Sequence, residues 1–97
     1  MQTIKKRDGR ILDFDPAKIT AAMEKAMRVV RGMVDHDQLN TLTMRVCELF
    51  ETRYPGEVPD VERIQDMVEQ VLMEAGLFDV AKAYILYREQ HAQIRNI

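Results

Sequence analysis

Cysteine, tryptophan, glycine and proline are all scarce in this chain, and their scarcity excludes several classes of protein. The 97 residues include one cysteine, Cys47, no tryptophan, four glycines and three prolines. A single cysteine excludes an internal disulfide and a zinc cluster built on thiolates. With 46% apolar residues, so few glycines and prolines also exclude a low-complexity or disordered chain. The length is that of one small domain.

Long apolar runs and an excess of basic charge are also missing. No stretch approaches the roughly 18–20 apolar residues of a membrane span, and the N-terminus lacks the apolar run of a signal peptide. We therefore expect a cytoplasmic protein with no membrane partner. Fourteen Lys and Arg residues against sixteen Asp and Glu argue against a nucleic-acid partner.

The charge that is present is unevenly distributed along the chain. Residues 1–34 carry eight basic and four acidic side chains, whereas residues 35–97 carry six basic and twelve acidic ones. An anionic partner is therefore expected to bind the N-terminal third.

The N-terminal segment, about residues 2–14, is predicted to form a β-hairpin. Its strands are Thr3–Lys6 and Arg10–Phe14. The pair Asp8-Gly9 between them favours a tight turn, because glycine accepts the positive φ that such a turn requires. A hairpin alone is marginally stable in water, so we expect it to lie on another element.

Four helices are predicted to follow, over about 16–32, 37–53, 60–75 and 78–94. Asp15, either Asp35 or Asp37, and Asp60 are candidate N-caps. Val58 is a candidate for a third strand beside the hairpin. The predicted fold class is therefore α+β but mainly α: a four-helix bundle capped by a small N-terminal β-hairpin or three-stranded sheet.

Sequence motifs of enzymes are missing from the chain. It has no HExxH, no Gly-rich Walker loop and no GxSxG. Four cations, in contrast, are concentrated in the segment 5–10 at the hairpin turn, and Lys18 lies in the first turn of the first helix. Together with the N–H groups of that helix terminus, they form a candidate triphosphate site. The alternative is a solvated basic turn without a ligand.

Three motifs in order make the chain resemble the ATP-cone family. The first opens the chain, the second lies in the third helix and the third in the fourth. They are Ile4-Lys5-Lys6-Arg7-Asp8-Gly9-Arg10 with Phe14-Asp15 and Lys18-Ile19, then Ile64-Gln65-Asp66-Met67-Val68-Glu69, then Ala81-Lys82-Ala83-Tyr84-Ile85-Leu86-Tyr87-Arg88-Glu89.

The resemblance implies a regulatory domain and not an enzyme. ATP-cones bind ATP or dATP as allosteric effectors at the N-terminus of ribonucleotide reductases, the enzymes of deoxyribonucleotide synthesis, and act through quaternary structure. Residues 1–97 would then form a single ATP-cone. Its partners would be adenine nucleotides and either the catalytic body of the reductase or a partner subunit. Whether the chain also forms a homo-oligomer is left open.

The resemblance also assigns residues to the phosphates of the nucleotide. Lys6 and Arg7 match the positions that hold phosphates at the end of the first strand, and Lys18 matches the lysine that reaches them from the first helix. Arg88 lies where a phosphate or an inter-domain contact is expected.

Other residues are assigned by the resemblance to the base and the sugar. Ile4 matches a strand position beside the adenine. Asp15 matches a polar position near the ribose or the phosphates. Val58 and Glu62 match positions that face the base, where the Glu62 carboxylate would accept from the adenine amino group.

The motif around Gln65 resembles cones that hold two nucleotides in one pocket. Two triphosphates side by side would need a divalent cation to offset their repulsion, so Mg²⁺ is expected with the nucleotide. Two other functions remain as alternatives: a nucleotide-responsive transcriptional regulatory module, and a degenerate cone that acts as a helical protein-interaction domain.

Overall fold

The computed structural model describes residues 3–6 and 8–95, with side chains up to residue 90. These residues form two strands and four helices, which confirms the predicted fold. No helix among them is long and apolar enough to cross a membrane. The elements are β1 (Thr3–Lys5), β2 (Ile11–Asp13), α1 (Pro16–Arg31), α2 (His36–Arg53), α3 (Val61–Glu74) and α4 (Phe78–Arg95).

β1 and β2 form an antiparallel hairpin whose turn depends on Gly9. The Lys6 N–H donates to the Arg10 carbonyl oxygen at 2.8 Å, and the Gly9 N–H donates back to the Lys6 carbonyl oxygen at 3.0 Å. Gly9 has a φ of 90°, a conformation that glycine adopts without steric cost. The Asp8 carboxylate accepts hydrogen bonds from the backbone N–H and from the side-chain Nε of Arg10. These two hydrogen bonds further stabilise the turn.

Backbone pairing at Lys5 joins the hairpin to the connection before α3. The Lys5 N–H donates to the Pro59 carbonyl oxygen at 2.7 Å, and Lys5 forms a parallel bridge with Asp60. The prediction that Val58 pairs with the hairpin is therefore wrong by two residues. Pro59 supplies only a carbonyl acceptor, because proline has no N–H.

Three aspartates cap the first three helices. The Asp15 carboxylate accepts from the Ala17 N–H, and Pro16 stands at the first helical position. Asp35, and not the alternative Asp37, caps α2, while Asp60 caps α3. Each carboxylate satisfies an N–H group that a helix start leaves without a partner.

The four helices enclose one hydrophobic core, and each packs against two others: α1 against α2 and α4, and α3 against α2 and α4. Ile4 and Phe14, on the hairpin and just after it, pack against this core half-buried. The hairpin therefore covers one end of the bundle. The largest fully buried side chains are Phe50, Met23, Leu39, Leu72, Val46, Val68, Val71, Val80 and Pro59.

Candidate functional site

A cavity of about 170 Å³ lies between the hairpin and helices α1, α3 and α4. The hairpin forms its upper side, the first two turns of α1 form one wall, and α3 with α4 forms the opposite wall. Its lining comprises Ile4, Lys6, Leu12, Asp13, Phe14, Asp15, Lys18, Ile19, Ala22, Val61, Ile64, Gln65, Tyr84 and Tyr87.

Two kinds of side chain line the cavity. The charged residues of the described lining, Lys6, Asp13, Asp15 and Lys18, all come from the hairpin and the start of α1. The remaining lining is aliphatic or aromatic, apart from Gln65 on α3. Such a cavity suits a ligand with one flat apolar part and one charged part.

The cation Lys18 lies beside the N-terminus of α1. Its backbone N–H donates to the Asp15 carbonyl oxygen at 3.1 Å, so it occupies the first turn of the helix, where the helix dipole favours anions. Asp15 stands at the N-cap with its carboxylate oriented to the Ala17 N–H at 3.0 Å.

Two tyrosines close the α4 side of the cavity. The rings of Tyr84 and Tyr87 lie with their centroids 6.2 Å apart, and the Lys25 ammonium lies 5.8 Å from the centre of the Tyr87 ring. Burial raises the pKa of the Tyr84 hydroxyl well above its ordinary value, so this phenol stays neutral. Tyr84 is 3% exposed and belongs to the hydrophobic core, whereas Tyr87 is half-buried and packs against that core.

Four of the residues assigned from the sequence meet in this cavity: Ile4, Lys6, Asp15 and Lys18. Arg7 lies outside the described residues. Val58, Glu62 and Arg88 are not part of the cavity lining. Val58 is 48% exposed, and Glu62 forms an ion pair with Arg88 at 3.3 Å.

No group of three or more His, Cys, Asp or Glu side chains that could hold a metal ion occurs among the described residues. The Cys47 thiol is half-buried, and burial raises its pKa, which favours the protonated thiol over the more reactive thiolate.

The comparison with known families gives one match over nearly the whole chain. The family model of the ATP cone domain matches residues 2–93. This chain belongs to the ATP-cone family. The matched range includes every residue that lines the cavity.

Curated relatives of this ATP-cone are ribonucleotide reductases with three different descriptions. The chain is 45% identical over 96 residues to the ribonucleoside-diphosphate reductase subunit alpha of Chlamydia pneumoniae, covering 93% of this chain and 9% of the relative. It is 42% identical over 92 residues to the vitamin B12-dependent ribonucleoside-diphosphate reductase of Mycobacterium tuberculosis, covering 95% of this chain and 13% of the relative. It is 36% identical over 83 residues to the anaerobic ribonucleoside-triphosphate reductase of Haemophilus influenzae, covering 86% of this chain and 12% of the relative. The ATP-cone thus spans about a tenth of the length of these relatives.

The residues assigned to the nucleotide from the sequence leave out several that line the ATP-cone cavity, among them Leu12, Val61 and Gln65. Leu12 lies opposite Ile4 in the hairpin register, so the alternation of the strand places both on the same face. Val61 and Gln65 are four residues apart on α3 and therefore share a helix face. These periodicities were available in the sequence, but only the packing of the hairpin decides which faces meet.

Proposed function

We propose that this ATP-cone binds ATP or dATP in the cavity beneath the hairpin. The observation that carries the proposal is that Lys6 of the hairpin and Lys18 of α1 line one cavity whose other walls are apolar and aromatic. The lysines would hold the phosphates, with Arg7 beside Lys6 in the sequence, and the apolar walls would enclose the adenine. Ile4 would lie against the base and Asp15 near the sugar or the phosphates.

The charge of the cavity supports binding of the nucleotide together with a divalent cation. A triphosphate carries about four negative charges at neutral pH, whereas the described residues of the lining offer two lysines against two aspartates. Mg²⁺ held mainly by phosphate oxygens would reduce the excess of negative charge. We propose that Mg²⁺ enters with the nucleotide, and two nucleotides in one cavity would need it most.

We further propose that nucleotide binding regulates a ribonucleotide reductase of which this domain is part. The matched relatives are reductases by description, and the domain would act on their catalytic body or partner subunit by changing quaternary assembly. ATP and dATP must then stabilise different bound arrangements, because a ligand shifts an equilibrium only by its differential affinity for the two states.

Isothermal titration with ATP, dATP and GTP, each with Mg²⁺, tests the binding proposal. Saturable heat with both adenine nucleotides and at least about tenfold weaker binding of GTP is the expected result. The stoichiometry then gives one nucleotide or two per chain. Absence of binding by all three would contradict the proposal and favour the degenerate cone that acts as an interaction domain.

A further inference from the structure

We infer that Arg88 is a positioning residue that fixes the α3–α4 wall of the cavity, and not a ligand of the phosphates. The inference rests on the proposed function, since the wall matters only if the cavity binds a nucleotide. It departs from the sequence-based prediction of a phosphate or inter-domain contact for Arg88.

The guanidinium of Arg88 is shared by three carboxylates on α3. Its Nη1 lies 2.8 Å from Asp66 Oδ1 and 2.7 Å from Glu69 Oε1. Its Nη2 lies 3.3 Å from Glu62 Oε2. The Arg88 side chain is 16% exposed and that of Glu69 is 23% exposed, so this contact is better shielded from solvent than an ordinary surface ion pair, whereas Glu62 and Asp66 are exposed. Burial lowers the Arg88 pKa, but the hydrogen bonds to Asp66 and Glu69 outweigh it and raise the pKa overall, so the charge is permanent.

The three carboxylates form a stripe along α3 beside the residues that line the cavity. Glu62, Asp66 and Glu69 follow one another at spacings of four and three residues, which places them on one helix face. Gln65 lines the cavity, directly precedes Asp66 and lies four residues before Glu69. It therefore lies on α3 between the three carboxylates and the cavity. The position of α3 relative to α4 therefore determines where Gln65 meets the cavity.

Arg88 occupies the corresponding place on α4. It lies four residues after Tyr84 and next to Tyr87, and both tyrosines line the cavity. The ion pairs thus join α3 and α4 within one helical turn of the residues that form the wall. Three N–H donors of the Arg88 guanidinium are thus directed to carboxylates of α3, and Arg88 does not line the cavity.

Loss of Arg88 would have two effects in the same place. Three carboxylates would stand close together without a counter-charge, and their repulsion would favour separation of α3 from α4. The wall formed by Gln65 and the two tyrosines would then widen. A site that holds a flat ring between walls loses affinity when one wall moves, whatever number of phosphates the ligand carries.

The chain offers a matched control for this ion-pair cluster. Arg31 on α1 donates to Asp79 of α4 at 2.9 and 3.1 Å, and it too joins two helices. Arg31 is thirteen residues beyond Lys18, about 20 Å along the helix axis, and does not line the cavity. Arg31→Met therefore removes an interhelical ion pair at a distance from the wall.

The experiment titrates ATP, ADP and AMP into the wild-type chain, Arg88→Met, Arg88→Lys and Arg31→Met, after circular dichroism has established that each variant is folded. Arg88→Met is expected to weaken all three nucleotides by the same factor, about fivefold. Arg88→Lys should restore most of the affinity, and Arg31→Met should change it by less than about twofold. If Arg88→Met does not fold, Glu69→Gln replaces it, with an expected loss of about threefold for each nucleotide.

Three results would overturn the inference. Unchanged affinity in Arg88→Met excludes a positioning role. A loss that is large for ATP and small for AMP identifies a phosphate ligand. An equal loss in Arg31→Met attributes the effect to general destabilisation. If the wild-type chain binds none of the three nucleotides, the proposed function itself fails, and the inference fails with it.

Discussion

Lys5 donates its backbone N–H to the carbonyl oxygen of Pro59, on the edge of β1 that faces away from β2. The 2.7 Å hydrogen bond ties the hairpin to the residue directly before Asp60, the N-cap of α3. Lys6, the next residue, donates in the opposite direction to Arg10. One strand thus joins the upper side of the cavity to the start of the helix that forms its wall.

Replacing Lys5 by proline is expected to release this tie. Lys5→Pro removes the N–H that reaches Pro59 but leaves the Lys6–Arg10 hydrogen bond of the hairpin in place. The loss of one hydrogen bond, about 1 kcal/mol, should weaken ATP binding about fivefold. Titration calorimetry measures the affinity. Lys5→Ala keeps the N–H and is the control; equal affinities in the two variants would contradict the prediction.

Removing the cations assigned to the phosphates should weaken nucleotide binding without unfolding the chain. Lys6→Ala, Arg7→Ala and Lys18→Ala are each expected to cost about 1–3 kcal/mol of binding free energy through lost charged hydrogen bonds. Lys82→Ala, on the exposed face of α4, is the matched control. Native circular dichroism together with unchanged affinity in all three variants would disprove the assigned phosphate site.

Replacing Gly9 by alanine should destabilise the hairpin turn. No atom lies within 4 Å of the position that a Cβ would take, so the cost is backbone strain at a φ of 90° alone, about 1–2 kcal/mol. Gly9→Asn should cost less, since asparagine tolerates positive φ better. Urea unfolding measures both variants, and an equal loss in the two would contradict the prediction that backbone strain at this φ sets the cost.

Acidification should weaken the ion pair between Asp79 and Arg31. The hydrogen bond from the Arg31 side chain holds the pKa of Asp79 below its ordinary value of 3.8. Because the pKa is lower in the folded chain than in the unfolded one, this stabilisation is complete above the unfolded pKa and is lost as the pH falls through the folded pKa. Asp79→Asn and Arg31→Met should therefore differ from wild type in urea unfolding at pH 7, and the difference should shrink as the pH falls below 3.8 and through the folded pKa of Asp79. A difference that persists undiminished at the lower pH would contradict this assignment.

The helices and the turn could be predicted from the sequence because their signals are local. Asp15 before Pro16 marks the start of α1, Asp60 marks the start of α3, and glycine at position 9 marks the hairpin turn. Each signal depends on the residue's own backbone preference or on a hydrogen bond to a nearby N–H. Such preferences hold before the chain has packed.

The contacts between distant elements could not be predicted in the same way. Lys5 donates a hydrogen bond to Pro59 and forms a bridge with Asp60, whereas the sequence predicts pairing at Val58. The register between two segments so far apart in the sequence is set by packing, which the sequence pattern does not contain. The cluster on Arg88 shows the same limit. The sequence does not indicate that Glu62 forms an ion pair with Arg88, a residue 26 positions away, and the assignment of Glu62 to the base stays a prediction.

The walls of the cavity come from five elements that are separated along the chain and meet only in the folded state. An unfolded chain therefore offers a nucleotide no comparable site, and every molecule bound is withdrawn from the unfolding equilibrium. At a nucleotide concentration one hundred times the dissociation constant, this linkage adds about 2.7 kcal/mol to the free energy of unfolding. The melting temperature and the protease resistance of the domain would then rise with the concentration of the nucleotide that it binds.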